Sequence, residues 1–156
     1  MPPPCTRGAC ALRHRGMSRL WVVDTNVLVA AVLTAQVDSP TARTLGAMLD
    51  GSLMFLLSPA LLAEYRAVLL RPRLVQRHGL AEAQVDELLA TITANAVWRD
   101  PPSPSSATTA PDAGDAHLWD LLACEPHAAL VTGDQLLLNN PYPGRVLMQP
   151  RQLWAQ

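Results

Sequence analysis

The chain has 156 residues, 49% of them apolar and only 16% charged, which suits one globular domain with a full core. A formal net charge of −1 gives no global attraction to nucleic acid. All twelve of the Lys-plus-Arg residues are arginine, which excludes a P-loop, a Schiff-base lysine and lysine-dependent phosphoryl transfer.

Residues 1–17 differ from the rest. They carry Pro2 to Pro4, Cys5, Cys10 and three arginines, with no acid. They are expected to be a disordered tail, or an extension ahead of a working start at Met17. Residues 18–156 are expected to hold the domain. Leu20 to Val23 reads as a strand buried on both faces, as in parallel sheets, and ends in Asp24. Thr25 can cap a helix to about Thr34. Pro40 to Leu49 reads as a second helix, stopped near Gly51. Met54 to Leu57 is a short strand. Ser58-Pro59 supplies an N-cap and a proline at the first helical position, for a helix that reaches about Leu70 and stops before Pro72. Ala81 to Ala94 is a helix with Val85, Leu88, Leu89 and Ile92 on one stripe. Ala96 to Trp98 reads as a short strand, and Asp100 to Pro111 as a loop rich in Pro, Ser and Thr. A helix runs from about Asp112 to Cys124, and a strand from Ala128 to Thr132. Gly133 turns into a short helix, Asp134 to Leu138. Val146 to Met148 is a late strand and Pro150 to Trp154 a terminal turn. Alternation of this kind predicts an α/β fold, a three-layer α/β/α sandwich with a mainly parallel central sheet.

Cys5, Cys10 and Cys124 form neither a disulfide framework nor a metal-ligand spacing, and no secretory leader is evident. No apolar run approaches the ~18 residues of a membrane span. A cytoplasmic protein without a membrane partner is expected.

Four acids stand where a core should not want them. Asp24 ends the first buried strand, at the edge where open α/β sheets bind ligands. Asp134 follows Leu130-Val131-Thr132-Gly133 in the same way, and can also cap the short helix after it. Glu64 shares its helix face with Ala60, Leu61, Ala67 and Val68. Its commonplace reading is a rim residue paired with Arg71, but seven residues place Arg71 ~10 Å along the axis. Asp115 shares a face with Leu118, Trp119 and Leu122, while Asp112 takes the capping role. Asp120 is read as surface, and His117, two residues from Asp115, as facing away. Asn26 and Thr132 are neutral companions able to position a water or a carboxylate. Several carboxylates in one apolar cleft cannot all stay ionised without a cation. Oxygen-only ligation favours Mg²⁺ or Mn²⁺ over zinc. Such a metal serves phosphodiester hydrolysis. In a chain of this charge, the Arg66 to Arg77 cluster is the leading phosphate-binding group, through Arg71, Arg73 and Arg77. The competing reading is a solvated helix end.

The stretches Val22-Val23-Asp24-Thr25-Asn26-Val27, Leu57 to Glu64, Asp112 to Leu118 and Leu130-Val131-Thr132-Gly133-Asp134 stand in an order that resembles the PIN-domain ribonucleases. More narrowly, the chain resembles the VapC-like toxin components of bacterial toxin–antitoxin pairs. The resemblance covers about residues 19 to 154, and the Arg71-Pro72-Arg73 segment shares it. It implies a metal-dependent endoribonuclease with Asp24, Glu64 and Asp115 as metal ligands and Asp134 as a fourth acid, supported by Asn26 and Thr132. It also implies an RNA substrate, Mg²⁺ or Mn²⁺, a cognate antitoxin and a homodimer. The chain departs from the family at Ala113 and Gly114, where extra charge is common, and after Thr-Gly-Asp, where a second acid is replaced by Gln135-Leu136. A non-catalytic PIN-like module that binds RNA or protein is the alternative. A haloacid dehalogenase-type phosphatase would need Asp-x-Asp and a lysine, and Asp24-Thr25-Asn26 meets neither need.

Overall fold

The computed structural model describes residues 19–102 and 108–155. The tail expected over residues 1–17 and part of the Pro/Ser/Thr loop lie outside the described residues. The elements run β1 (Trp21–Val23), α1 (Thr25–Leu33), α2 (Pro40–Asp50), β2 (Leu56–Leu57), α3 (Pro59–Leu69), α4 (Pro72–His78), α5 (Glu82–Asn95) and β3 (Val97–Trp98). A 3₁₀ turn (Ala113–Asp115) then leads into α6 (Ala116–Cys124), β4 (Ala129–Val131), α7 (Gln135–Asn139), β5 (Leu147–Met148) and α8 (Pro150–Leu153).

Among the described residues every strand pairing is parallel. β1 aligns with β4 (Trp21 opposite Ala129, Val23 opposite Val131), β4 with β5, and β2 with β3. A parallel bridge between Trp21 and Phe55 joins the two groups into the order β3-β2-β1-β4-β5. The chain therefore reverses its direction of travel across the sheet between β1 and β4. In open α/β sheets that reversal opens a crevice at the carboxyl ends of the two strands. Asp24 and Asp134 follow those two strands. The α/β/α sandwich with a parallel sheet is the fold observed.

The core explains why these strands form. Val22, Val23, Phe55, Leu56, Leu57, Leu130 and Val131 are completely buried, consistent with a parallel sheet covered on both faces. Tyr65, Leu69, Ile92, Leu118, Trp119 and Leu122 from the helices belong to the same core. On α5, Val85, Leu89 and Ile92 are buried as expected, and Leu88 is half-buried.

Several local expectations are corrected. The cap of α1 is Asp24, not Thr25, and Thr25 is the first helical residue. Asp112 precedes the 3₁₀ turn, and its carbonyl accepts the Asp115 amide at 2.9 Å, but its side chain caps nothing. Helix α4 is an addition to the sequence reading. Pro72 at its first turn and Gly79 just beyond it, with φ of 70°, are its local signals. Its seven residues carry too short a pattern to show in periodicity. Ser58 behaves as read: its Oγ accepts the Leu61 amide at 3.1 Å.

Candidate active site

Four elements bring the expected acids to one edge of the sheet. Asp24 leaves β1, Glu64 sits mid-way along α3, Asp115 ends the 3₁₀ turn before α6, and Asp134 precedes α7. All four line a single cleft of about 470 Å³. Val29, Ala30, Leu33, Val68 and Leu74 make its apolar wall, and among the described residues Arg71 is its one basic lining residue.

Asp24 is the anchor. It is 4% exposed. Its Oδ2 accepts a 2.6 Å hydrogen bond from the Thr132 hydroxyl and a 3.2 Å bond from Asn26 Nδ2. Burial raises its pKa above the ordinary carboxylate value. Bonds from Thr132 and from the Thr25 amide act against that, and the charges of Glu64 and Asp134 add to it. The two companions also tie the neighbouring loop. Asn26 Oδ1 accepts the Gly133 amide at 3.2 Å, and Thr132 Oγ1 accepts the Asp134 amide at 3.0 Å. One bonded chain thus links the ends of β1 and β4. It sets Asp24 against Asp134, whose own Oδ1 accepts the Leu136 amide at 2.9 Å.

Asp115 is half-buried on the far wall. Its pKa is pushed up from 3.8 to about 6, first by burial and then by the charges of Asp24, Asp112, Asp134 and Glu64. The cleft therefore holds negative charge in excess of what its own donors satisfy.

Glu64 has a different neighbour from the one its sequence suggested. No ion pair joins it to Arg71. Instead His117 Nε2 lies 2.8 Å from Glu64 Oε1. The approach is close but off the N–H axis, since both buried ring nitrogens lack an aligned hydrogen bond. The reading of His117 as facing away is thus incomplete: it abuts the second of the four acids. The sequence signal was the position of His117 one turn from the buried Leu121, which only the packing of α6 against α3 turns toward Glu64.

Tyr65 is the other residue that sequence reading missed. Completely buried beside Glu64, it donates a 2.6 Å hydrogen bond to the carbonyl of Val23, the residue before Asp24. Burial, then the charges of Asp24 and Glu64, raise its pKa, so it stays a neutral donor. Helix α3 is pinned to the end of β1 between two of the acids.

The arginines separate. Arg71, at the N-cap of α4, reaches the cleft, while Arg73 and Arg77 are exposed on α4 outside the cleft lining. Arg66 is paired with Glu82 and Asp86 at 2.6 and 2.7 Å.

The donor set suits a hard divalent cation: carboxylate oxygens only, two of them with raised pKa, beside the buried Thr25 hydroxyl, which has no protein partner. Among the described residues no three such side chains are gathered closely enough to hold one ion as they stand. The acids would have to draw together around an ion, and for Glu64 that means leaving its 2.8 Å contact with His117.

The PIN domain family model matches residues 21–136, and the chain belongs to that family. Its members are in general nucleases that use divalent metal ions. Among curated proteins no match is found. No described helix is long and apolar enough to cross a membrane.

Proposed function

We propose that this chain is a metal-dependent endoribonuclease that hydrolyses RNA phosphodiester bonds, and that it acts as the toxin of a toxin–antitoxin pair. The observation that carries the nuclease reading is the convergence of Asp24, Glu64, Asp115 and Asp134 on one cleft at the crevice between β1 and β4. These four would hold Mg²⁺ or Mn²⁺. When bound, the ion supplies an activated water and charge neutralisation at the scissile phosphate.

The protein's own groups do the rest. Thr132 and Asn26 both bond Asp24 through Oδ2, which fixes the carboxylate at the edge of the cleft it lines. Asp115, whose pKa is raised by burial and by the neighbouring carboxylates, would be relieved of that repulsion by a bound cation. Arg71 on the lip offers a guanidinium to a neighbouring phosphate, and its fork suits that geometry. The apolar wall of Val29, Ala30, Leu33, Val68 and Leu74 gives sugar and base faces a dry surface without reading sequence. A cognate antitoxin would cover this cleft, with an arginine satisfying one of its carboxylates bidentately.

Asp24→Asn tests the nuclease reading. It keeps the shape and an acceptor for Thr132 and removes the charge. Cleavage should disappear and Mn²⁺ binding, read by calorimetry, should weaken at least ~10-fold, about 1.4 kcal/mol. Because charge repulsion is relieved, the melting temperature should be similar or higher. Retained cleavage in the purified variant would sink the mechanism. For the toxin role, expression of the wild type should arrest growth, the variant should not, and a co-expressed neighbouring gene product should restore it.

A further inference from the structure

At the opposite edge of the sheet, residues flanking the N-terminal ends of β1, β4 and β5 enclose a second concavity of about 400 Å³. Arg19, His127 and Arg145 line it, and among the described residues no acidic side chain does. No described residue lines both it and the acidic cleft.

Both arginines are held in place by aromatic faces. The Arg19 guanidinium lies 5.7 Å from the Trp21 ring centroid and that of Arg145 4.9 Å from Tyr142. Arg145 is further fixed through Nη1, which donates to the carbonyls of Leu122 and Glu125 at the end of α6. Gly144, with φ of 76°, makes the turn that folds Arg145 back. A side chain there would be strained in the left-handed region. Among the described residues neither Arg19 nor Arg145 joins an ion pair, whereas Arg66 and Arg99 both do. Nη1 supplies two of the five guanidinium donors, so Arg145 retains donors beyond those bonds.

Two guanidiniums without a carboxylate partner share one concavity with an imidazole, in a chain of net charge −1, and an anion placed between the guanidiniums would relieve their mutual repulsion. Pre-oriented Arg forks match tetrahedral oxyanions, and stacking on aromatic faces lowers the ordering cost. We propose that this rear pocket binds a phosphate monoester: inorganic phosphate, or the terminal phosphate of a nucleotide or RNA strand. The double charge of a monoester meets the clustered cations better than the single charge of an internal diester, and the volume accommodates one phosphate with its sugar.

The test titrates the full chain, in EDTA to prevent cleavage, with inorganic phosphate, adenosine 5′-monophosphate, adenosine, and a short RNA with and without a 5′-phosphate. Amide resonances of Ala128, Gly144 and Arg145 should shift with the phosphate-bearing probes and not with adenosine, while those of Asp24 and Asp134 stay still. An RNA that shifts them only when 5′-phosphorylated identifies a strand end as a ligand. Shifts with inorganic phosphate and the monophosphate alone identify a small ligand. An Arg19→Gln/His127→Gln double variant, which spares the Arg145 anchor, should bind phosphate at least ~10-fold more weakly. The proposal is overturned if no probe moves the rear amides. It is equally overturned if adenosine moves them as much as the monophosphate, or if Arg71→Gln rather than the double variant removes phosphate binding.

Discussion

Replacing Asp115 by asparagine isolates the electrostatic strain of the cleft. Asp115 rises from 3.8 to about 6 through burial and the charges of Asp24, Asp112, Asp134 and Glu64. A raised carboxylate pKa means that the folded chain holds this proton more tightly than the unfolded chain. Its effect on stability is therefore absent below about pH 4. It grows unfavourable as pH rises from about 4 to 6 and is constant above that. At ~1.36 kcal/mol per unit, the full shift corresponds to about 3 kcal/mol. Asp115 is only half-buried, and solvent screening reduces this to about 1 kcal/mol. Asp115→Asn keeps the shape and deletes the charge. In urea unfolding without metal, wild type should lose stability relative to the variant between pH 4 and 6. At pH 7 the variant should be about 1 kcal/mol more stable, about 4 °C in Tm. With Mn²⁺ at a hundredfold excess over Kd, wild type should gain about 2.7 kcal/mol, the variant should gain less, and the order should reverse. Parallel pH–stability curves for the two proteins, or a less stable variant at pH 7, would refute the idea that Asp115 faces the other carboxylates.

Other outcomes follow from individual contacts. Tyr65→Phe removes a buried 2.6 Å bond to the Val23 carbonyl and should cost about 1–3 kcal/mol in urea unfolding; an unchanged midpoint would show that the bond is replaceable. His117→Phe keeps the packing but releases Glu64 from its 2.8 Å contact. Mn²⁺ should then bind about fivefold tighter, ~1 kcal/mol, and weaker binding in calorimetry would mean that His117 orients Glu64 rather than competing for it. Arg71→Ala should lower the salt slope of RNA binding by about one, as loss of one phosphate contact does. Arg73→Ala, outside the cleft lining, should lower it less, and equal slopes for both variants would move the RNA path onto α4. Ser58→Ala should cost about 1 kcal/mol in thermal unfolding through loss of the α3 cap.

What the sequence determined by itself was local. Trp21 to Val23 and Ala129 to Val131 are apolar runs that specify buried strands wherever they pair, and an aspartate after each follows from adjacency in the chain. Ser58-Pro59 starts its helix through bonds that reach only three residues. The helical faces of Glu64 and Asp115 follow from a period of 3.6, so the four carboxylates were legible as oddities in apolar settings. Tertiary structure alone decided which of them meet. Thr132 reaches Asp24 across 108 residues because β4 inserts beside β1. Many strand orders would bury the same apolar area, and periodicity does not distinguish among them. The same holds for His117 against Glu64 and Tyr65 against Val23. Each pairs groups on different elements, whose mutual rotation is set by the packing of the whole core. The division of the arginines follows likewise. Arg71 enters the cleft because α4 starts at Pro72, and Arg19, His127 and Arg145 gather at the rear because parallel strands bring distant N-terminal ends to one edge.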